Sequence, residues 1–342
     1  MFFGTISAED PSQATGLRPF EATARQATAS IHRLVKGVLQ FNPAEAAHGI
    51  KDLVFDIPRT LGTHTPWFAA YFGIMFVLAM AVGGGALSRM SACDFAGGER
   101  LRAGDGLVFA LSNASRLVMA IVLPILVVAA LAVFLMLVGW FLFLPWINVI
   151  GGLLYVVMLV LGLVIAFIAI GYVAGFALIV PAVACENCDS GDALQRAYAY
   201  TYSRPLHLIG YGLVAIIGFA LGYALVNLIA VAALNGTATL ATLWTGEEVA
   251  GVAGGFQLLD FPPELRVSDG AAGHERFAAA AIGFWQKLVI GLVAAYVFAY
   301  FSAASTIAYL LLRRVCDGQE MTEVWQRGMI PGTSVPVPAA AA

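Results

Sequence analysis

Charge is what this sequence lacks most. Only 11% of its 342 residues are Asp, Glu, Lys or Arg, against ~25% in soluble domains, and lysine occurs only at Lys36, Lys51 and Lys287. From Leu117 to Ala184 there is no charged side chain at all. About 20 apolar residues cross the ~30 Å of a bilayer's hydrocarbon, so this stretch must cross at least twice. A net charge of -3 exerts no pull on nucleic acid, which is excluded as a partner. Met1-Phe2-Phe3-Gly4-Thr5 lacks the basic segment, apolar run and cleavage site of a removable signal peptide. Phosphate loops and dinucleotide fingerprints are missing too. His32, His48, His64, His207 and His274 are scattered, with no matching nucleophile. The apolar spans hold none of the ionisable groups that mark ion or proton paths. No enzymatic activity, cofactor or ion coupling is therefore expected.

What is present is apolar length: 60% of residues are hydrophobic and the mean hydropathy is +0.85. The expected fold is an all-α integral membrane protein of about five transmembrane helices, 67–88, 117–144, 149–184, 206–234 and 288–312, within a domain 67–327. Trp67 and Tyr71 sit like a headgroup-level aromatic belt, and Pro145-Trp146-Ile147-Asn148 suits a tight turn between the second and third spans. Arg313-Arg314 reads as an abrupt return to water. Residues 1–66 form a polar amino-terminal region with one or two amphipathic helices at the interface, apolar at helical spacing from Ile31 to Leu39 and from Ile50 to Phe55. An outer loop covers 235–284, and 328–342 reads as a disordered tail. Basic residues cluster beside one set of span ends, at Arg89, Arg100, Arg102, Arg116, Arg196, Arg204, Arg313, Arg314 and Arg327. That face should be cytoplasmic, which places the amino-terminal region either across the membrane or partly dipped into it.

Three spans end on that face in related sequences: Ala92-Cys93-Asp94, Ala184-Cys185-Glu186 and Val315-Cys316-Asp317. Seven residues past the second and third cysteines, Asp192-Ala193-Leu194-Gln195-Arg196 matches Glu323-Val324-Trp325-Gln326-Arg327. Even numbers of spans separate the copies, so they share one orientation as a parallel internal repeat. Each predicts an elbow helix on the cytoplasmic face, with Ser190, Asp192, Thr322 or Asp105 as the capping residue. In the second elbow Tyr198 and Tyr202 would anchor at headgroup depth, and Arg196 and Arg204 would reach lipid phosphates.

Gly83 through Arg89, Glu186 through Pro205 and Tyr300 through Arg313 together resemble a family of uncharacterised multi-pass membrane proteins of planctomycete-type bacteria. More distantly, the acidic elbow followed by Arg-Pro is similar to the membrane domains attached to some glycerophosphodiester phosphodiesterases. The resemblance covers roughly 67–327 and implies an architecture and a bacterial inner-membrane location. No activity follows, because the chain has neither a phosphodiesterase domain nor its His, Asp and Glu metal cluster.

Cys93, Cys185, Cys188 and Cys316 are the candidate metal ligands, since four thiolates at converging helix ends could hold zinc and Cys185-Glu186-Asn187-Cys188 has C-x-x-C spacing. The plainer reading makes them small apolar residues in a reducing compartment. Gly171, Gly175, Gly218 and Gly222 form two G-x-x-x-G faces for close helix packing. Asn227, Ser302, Ser305, Thr306 and Tyr309 are expected to bond between helices, and a deep polar cavity beside Asn227 and Ser305 would mark a transport path. The function expected is a structural or accessory subunit of a larger membrane assembly, with other membrane subunits or further copies of itself and lipids as partners. The alternative is a permease or lipid-handling protein without ion coupling.

Overall fold

The computed structural model describes residues 19–96, 100–141, 152, 155–243, 256, 258–259, 273–326 and 329–330. The chain is an all-α membrane protein, and five of its helices are long and apolar enough to cross a bilayer. They are Pro66–Phe95, Ala114–Trp140, Tyr155–Glu186, Pro205–Ala241 and Ala280–Asp317. The expected turn at 145–148 and most of the 328–342 tail lie outside the described residues. So does most of the outer loop, whose expected bounds shrink because helix continues to Thr242 and resumes at Gly273. The residues fall into two compact units: 1–73 with 213–300, and 74–212 with 301–342.

In the first unit, helices α1 (Pro19–Leu39) and α2 (Pro43–Lys51) form a hairpin. Phe41 takes a left-handed φ of 53° at its turn. Asn42 then caps α2, its side chain accepting from the Glu45 amide, and Pro43 occupies the first helical position, where its missing N–H costs nothing. A Cβ on Gly37 would lie 2.4 Å from the Ala46 nitrogen and one on Gly49 2.7 Å from that of Leu34, so both glycines are there for backbone approach. A π-helical turn at Asp52–Asp56 leads to α3 (Ile57–His64). α1 does not offer its apolar stripe to lipid. Leu34 and Val35 are buried with Ala220 and Tyr223 of helix α10 (Pro205–Thr242), Leu259, and Val293 of helix α11 (Gly273–Asp317). The expected surface-lying amphipathic helix is thus a packed part of its unit. Asn235 holds Phe256 through both its amide atoms, donating to its oxygen at 2.7 Å and accepting from its N–H at 3.1 Å. Between α10 and α11, Gly218 and Gly222 make room for Tyr300 and Tyr296.

The second unit contains α4 (Pro66–Leu78) from Ile74 on, a π-helical turn at Ala79–Gly84, α5 (Gly85–Phe95), α6 (Ala103–Ser112), α7 (Ala114–Phe141), α8 (Tyr155–Glu186) and α9 (Ser190–Ser203). It also takes the start of α10 and the end of α11. The Tyr172 hydroxyl donates to the Ile121 oxygen at 2.9 Å, joining α8 to α7. α9 folds back on α8, where Gly171 faces Tyr198 and Tyr202 and Gly175 faces Thr201.

Two elbows are helical, α6 and α9; the third is not. After α11, Gly318 turns at φ 71° and the chain runs on without a helix through Gln326. The sequence repeat is therefore not matched in backbone, for a reason visible in the hydrogen bonds. The groups a third helix would use internally point elsewhere: Trp325 N–H donates to the Cys185 oxygen, and the Glu320 and Glu323 oxygens accept from Arg313. The capping expectations shift as well. Asp189, rather than Ser190 or Asp192, caps α9 by accepting from the Asp192 amide, and α6 begins after Arg102 with no side-chain cap.

Candidate functional site

The buried end of α8 organises the second unit. A helix leaves its last carbonyls without partners, and burial makes each costly unless something bonds it. Here every one from Ala182 to Cys185 is met: Ala182 by the Cys188 thiol, Val183 by the Asn187 N–H, Ala184 by Arg89 and Cys185 by the Trp325 N–H. Asn187 takes a left-handed φ of 51° to make this turn, a conformation Asn tolerates better than most side chains. Arg89 is 6% exposed. Besides the Ala184 oxygen at 3.0 Å it donates to the Trp325 oxygen at 2.6 Å, and its guanidinium lies over the rings of Phe109 and Trp325. A cation at a helix C-terminus is favoured by the dipole.

Glu186 is the wrong sign for that position, and three groups compensate it. Its Oε1 accepts from the Tyr309 hydroxyl and lies 3.7 Å from Arg313 Nη1, while Oε2 meets Arg196. Glu186 is 5% and Arg313 2% exposed. Arg313 also donates to the Glu320 and Glu323 oxygens at 3.1 and 2.6 Å, tying the post-α11 segment to the same cluster. Tyr200, whose pKa burial pushes up, with Asp317 adding, donates to the Asp317 carboxylate. The expectation that Arg313 returns to water is corrected: it is the largest fully buried side chain among the described residues, and only Arg314 is exposed. A helical stripe, Ser302, Ser305, Tyr309 and Arg313, was the available signal, since residues three or four apart share a face.

The expected headgroup contacts are corrected likewise. Arg196 turns inward to Glu186. Tyr198 and Tyr202 donate to the backbone oxygens of Ile168 and Phe167, and the Tyr202 ring stacks on Phe167 at 4.1 Å. They fasten α9 to α8. Arg204 alone of the four is exposed.

The four cysteines are free thiols, Cys185 and Cys188 buried and Cys93 and Cys316 half-buried. Among the described residues no group of three or more His, Cys, Asp or Glu is placed to hold a metal. Cys188 lies in the turn after α8, and burial, with the nearby Glu186 carboxylate adding, pushes its thiol up to about 12. It stays protonated at neutral pH, opposite to what a redox thiolate requires.

Of the span residues expected to bond between helices, Tyr309 does so, to Glu186 of α8, whereas Ser305, Thr306 and Asn227 bond otherwise. Ser305 and Thr306 donate within their own helix, to the Phe301 and Ser302 oxygens. Asn227 is 1% exposed and accepts from the Leu259 N–H at 3.0 Å. Beside Ser88, Ser302 and Ser305 is a crevice of ≈ 10 Å³, about the space of one water. No protein family model matches the chain, and no curated protein or solved structure matches it.

Proposed function

We propose that the chain is a non-catalytic structural or accessory subunit of a larger membrane assembly, in a bacterial inner membrane with its elbows on the cytoplasmic side. The observation that carries this reading is the state of the α7–α8 hairpin. Its most apolar windows are only 11% and 6% buried, and Gly139 and Gly162 face open space. Small residues on uncovered spans allow close approach of another helix. The buried ionisable groups of the second unit, Arg89, Glu186 and Arg313, are in contrast spent on one another, on Arg196 and on backbone oxygens, which suits a frame. Exposed Arg100, Arg102, Arg204 and Arg314 supply the basic excess that supports a cytoplasmic elbow face.

The test is purification of the full chain from native membranes in mild detergent, with mass spectrometry of what accompanies it. A stoichiometric companion, or a stable homo-oligomer, lost in Gly162→Leu while the melting temperature holds, is the expected result. A monomer without companion in membranes cross-linked before solubilisation would refute the reading. One observation favours the alternative of a lipid-handling protein: an apolar groove of ≈ 400 Å³ on the second unit, between α7, α8 and α9.

A further inference from the structure

The groove is walled by Leu123, Pro124 and Val127 of α7, Ile168 of α8, and Leu194 and Tyr198 of α9. Its volume falls in the ~300–1,000 Å³ range of sites that take lipophilic small molecules. Val127 is 38% and the adjacent Leu126 52% exposed, so the groove opens on the apolar outside of membrane-crossing helices, where acyl chains are the surrounding solvent.

Its polar end distinguishes it from the rest of that surface. Arg116 precedes Leu123 by seven residues, nearly two full helical turns, which places it on the same face of α7 about 10 Å away. The Arg116 Nη1 reaches the Asn113 Oδ1 at 3.2 Å and the Asn187 oxygen at 3.4 Å. Its Nε and Nη2 make no hydrogen bond to the described residues and are free to donate. Asn187 leads within four residues to Ser190 and Gly191, the start of α9, and Gly191 and Gln195 line the groove. On the same turn stand two exposed carboxylates, Asp189 and Asp192. Arg196, also on α9, is committed to Glu186.

A guanidinium bonded to the turn that leads into α9, two exposed carboxylates at the start of that helix and the apolar trough that it lines suit one ligand chemistry: a phosphate ester followed by an ammonium group, carried on acyl chains. We propose that this groove is a specific site for one zwitterionic aminophospholipid of the bilayer. Its phosphate bonds Arg116, its ammonium group meets Asp189 and Asp192, and an acyl chain lies along Leu123, Val127 and Leu194. A singly anionic lipid keeps the Arg116 contact but brings no cation to the carboxylates. The preference is thus set by the acidic pair and the occupancy by the groove. The proposal stands independently of whether the chain has a protein companion.

Native mass spectrometry of the full chain tests it, after delipidation in detergent and titration with phosphatidylethanolamine or phosphatidylglycerol. One phosphatidylethanolamine should be retained, at least ten-fold more than phosphatidylglycerol. Val127→Trp fills the trough from an exposed position and should abolish retention without lowering the melting temperature. Arg116→Gln should reduce retention about ten-fold and Arg116→Lys restore part of it. Asp192→Asn should erase the preference between the two lipids. Retention by Val127→Trp at the level of the parent protein, or equal retention of the two lipids by the parent, would overturn the proposal.

Discussion

Replacing Glu186 by Gln removes what is, among the described residues, the one carboxylate paired with Arg313, a side chain that is 2% exposed. Gln keeps the shape and can still accept from Tyr309, so the change isolates charge. Removing one partner of a buried ion pair costs ~3–5 kcal/mol, because the remaining charge is left desolvated and uncompensated. Arg196 escapes part of this penalty, being 29% exposed and able to turn to water, which places the expected loss toward the lower figure. At ~2–4 °C per kcal/mol for a cooperative unit of this size, the melting temperature should fall by about 10 °C. Tryptophan fluorescence of the detergent-purified chain suits the assay because Trp325 shares the cluster through Arg89 and the Cys185 oxygen. The double variant E186Q/R313M replaces the stranded cation by an apolar chain of similar length. It should recover part of the loss, since a buried pair exchanged for hydrophobic groups is often neutral while the Glu320 and Glu323 oxygens lose a donor. An E186Q protein that melts within ~2 °C of the parent would refute the claim that this cluster is a compensated buried charge.

Two further outcomes concern the first unit. His32 is held neutral: burial lowers its pKa to about 4, with the Lys36 charge adding, from an ordinary 6.5. Its ring lies 2.9 Å from the Tyr223 hydroxyl. As pH falls the unfolded chain takes up the proton first, so the stabilisation is complete above ~6.5, declines below it and is lost by about 4, at most ~3 kcal/mol. Melting temperatures from pH 8 to 4.5 should drop through this window, and His32→Gln should flatten the curve between 6.5 and 5, where few carboxylates titrate; an unchanged acid limb would refute the assignment. Gly37→Ala drives a methyl against the Ala46 backbone, and overpacking of this kind costs ~1–3 kcal/mol or more. Gly236→Ala, with nothing within 4 Å, should be neutral; equal melting temperatures for the two would show that the hairpin is not closely packed.

The five spans were legible because apolar length is a one-dimensional property: ~20 uncharged residues cross a bilayer whatever the neighbours do. Their ends were legible only where water ends them. Reading the first, third and fifth spans as stopping at Ser88, Ala184 and Leu312 assumed that a charge means exit, whereas the helices continue through Arg89, Glu186 and Arg313 into protein. The G-x-x-x-G faces were visible as faces, but what fills them was not. Tyrosines face three of the four glycines and Thr201 the fourth, rather than a second glycine-lined helix, and only tertiary structure says which side chain reaches which gap.

The third elbow shows why a local match underdetermines structure. Glu323 to Arg327 has nearly the pattern of Asp192 to Arg196, yet the second copy is helical while the third is not, between Gln319 and Gln326. Propensity differs too little between the two to decide this. What differs is the partner. α9 caps itself with Asp189 and keeps its carbonyls internal, whereas the later segment meets an α8 end with an unmatched carbonyl and a buried Arg313 that needs acceptors. Each such bond leaves no desolvated group behind, and leaving one unmade costs ~1–3 kcal/mol, more than the ~0.5 kcal/mol per residue by which helix propensities commonly differ. A non-helical segment that bonds the Cys185 oxygen and Arg313 therefore outcompetes a short surface helix that satisfies only its own groups, and the divergence of the copies follows from which helix ends they must seal.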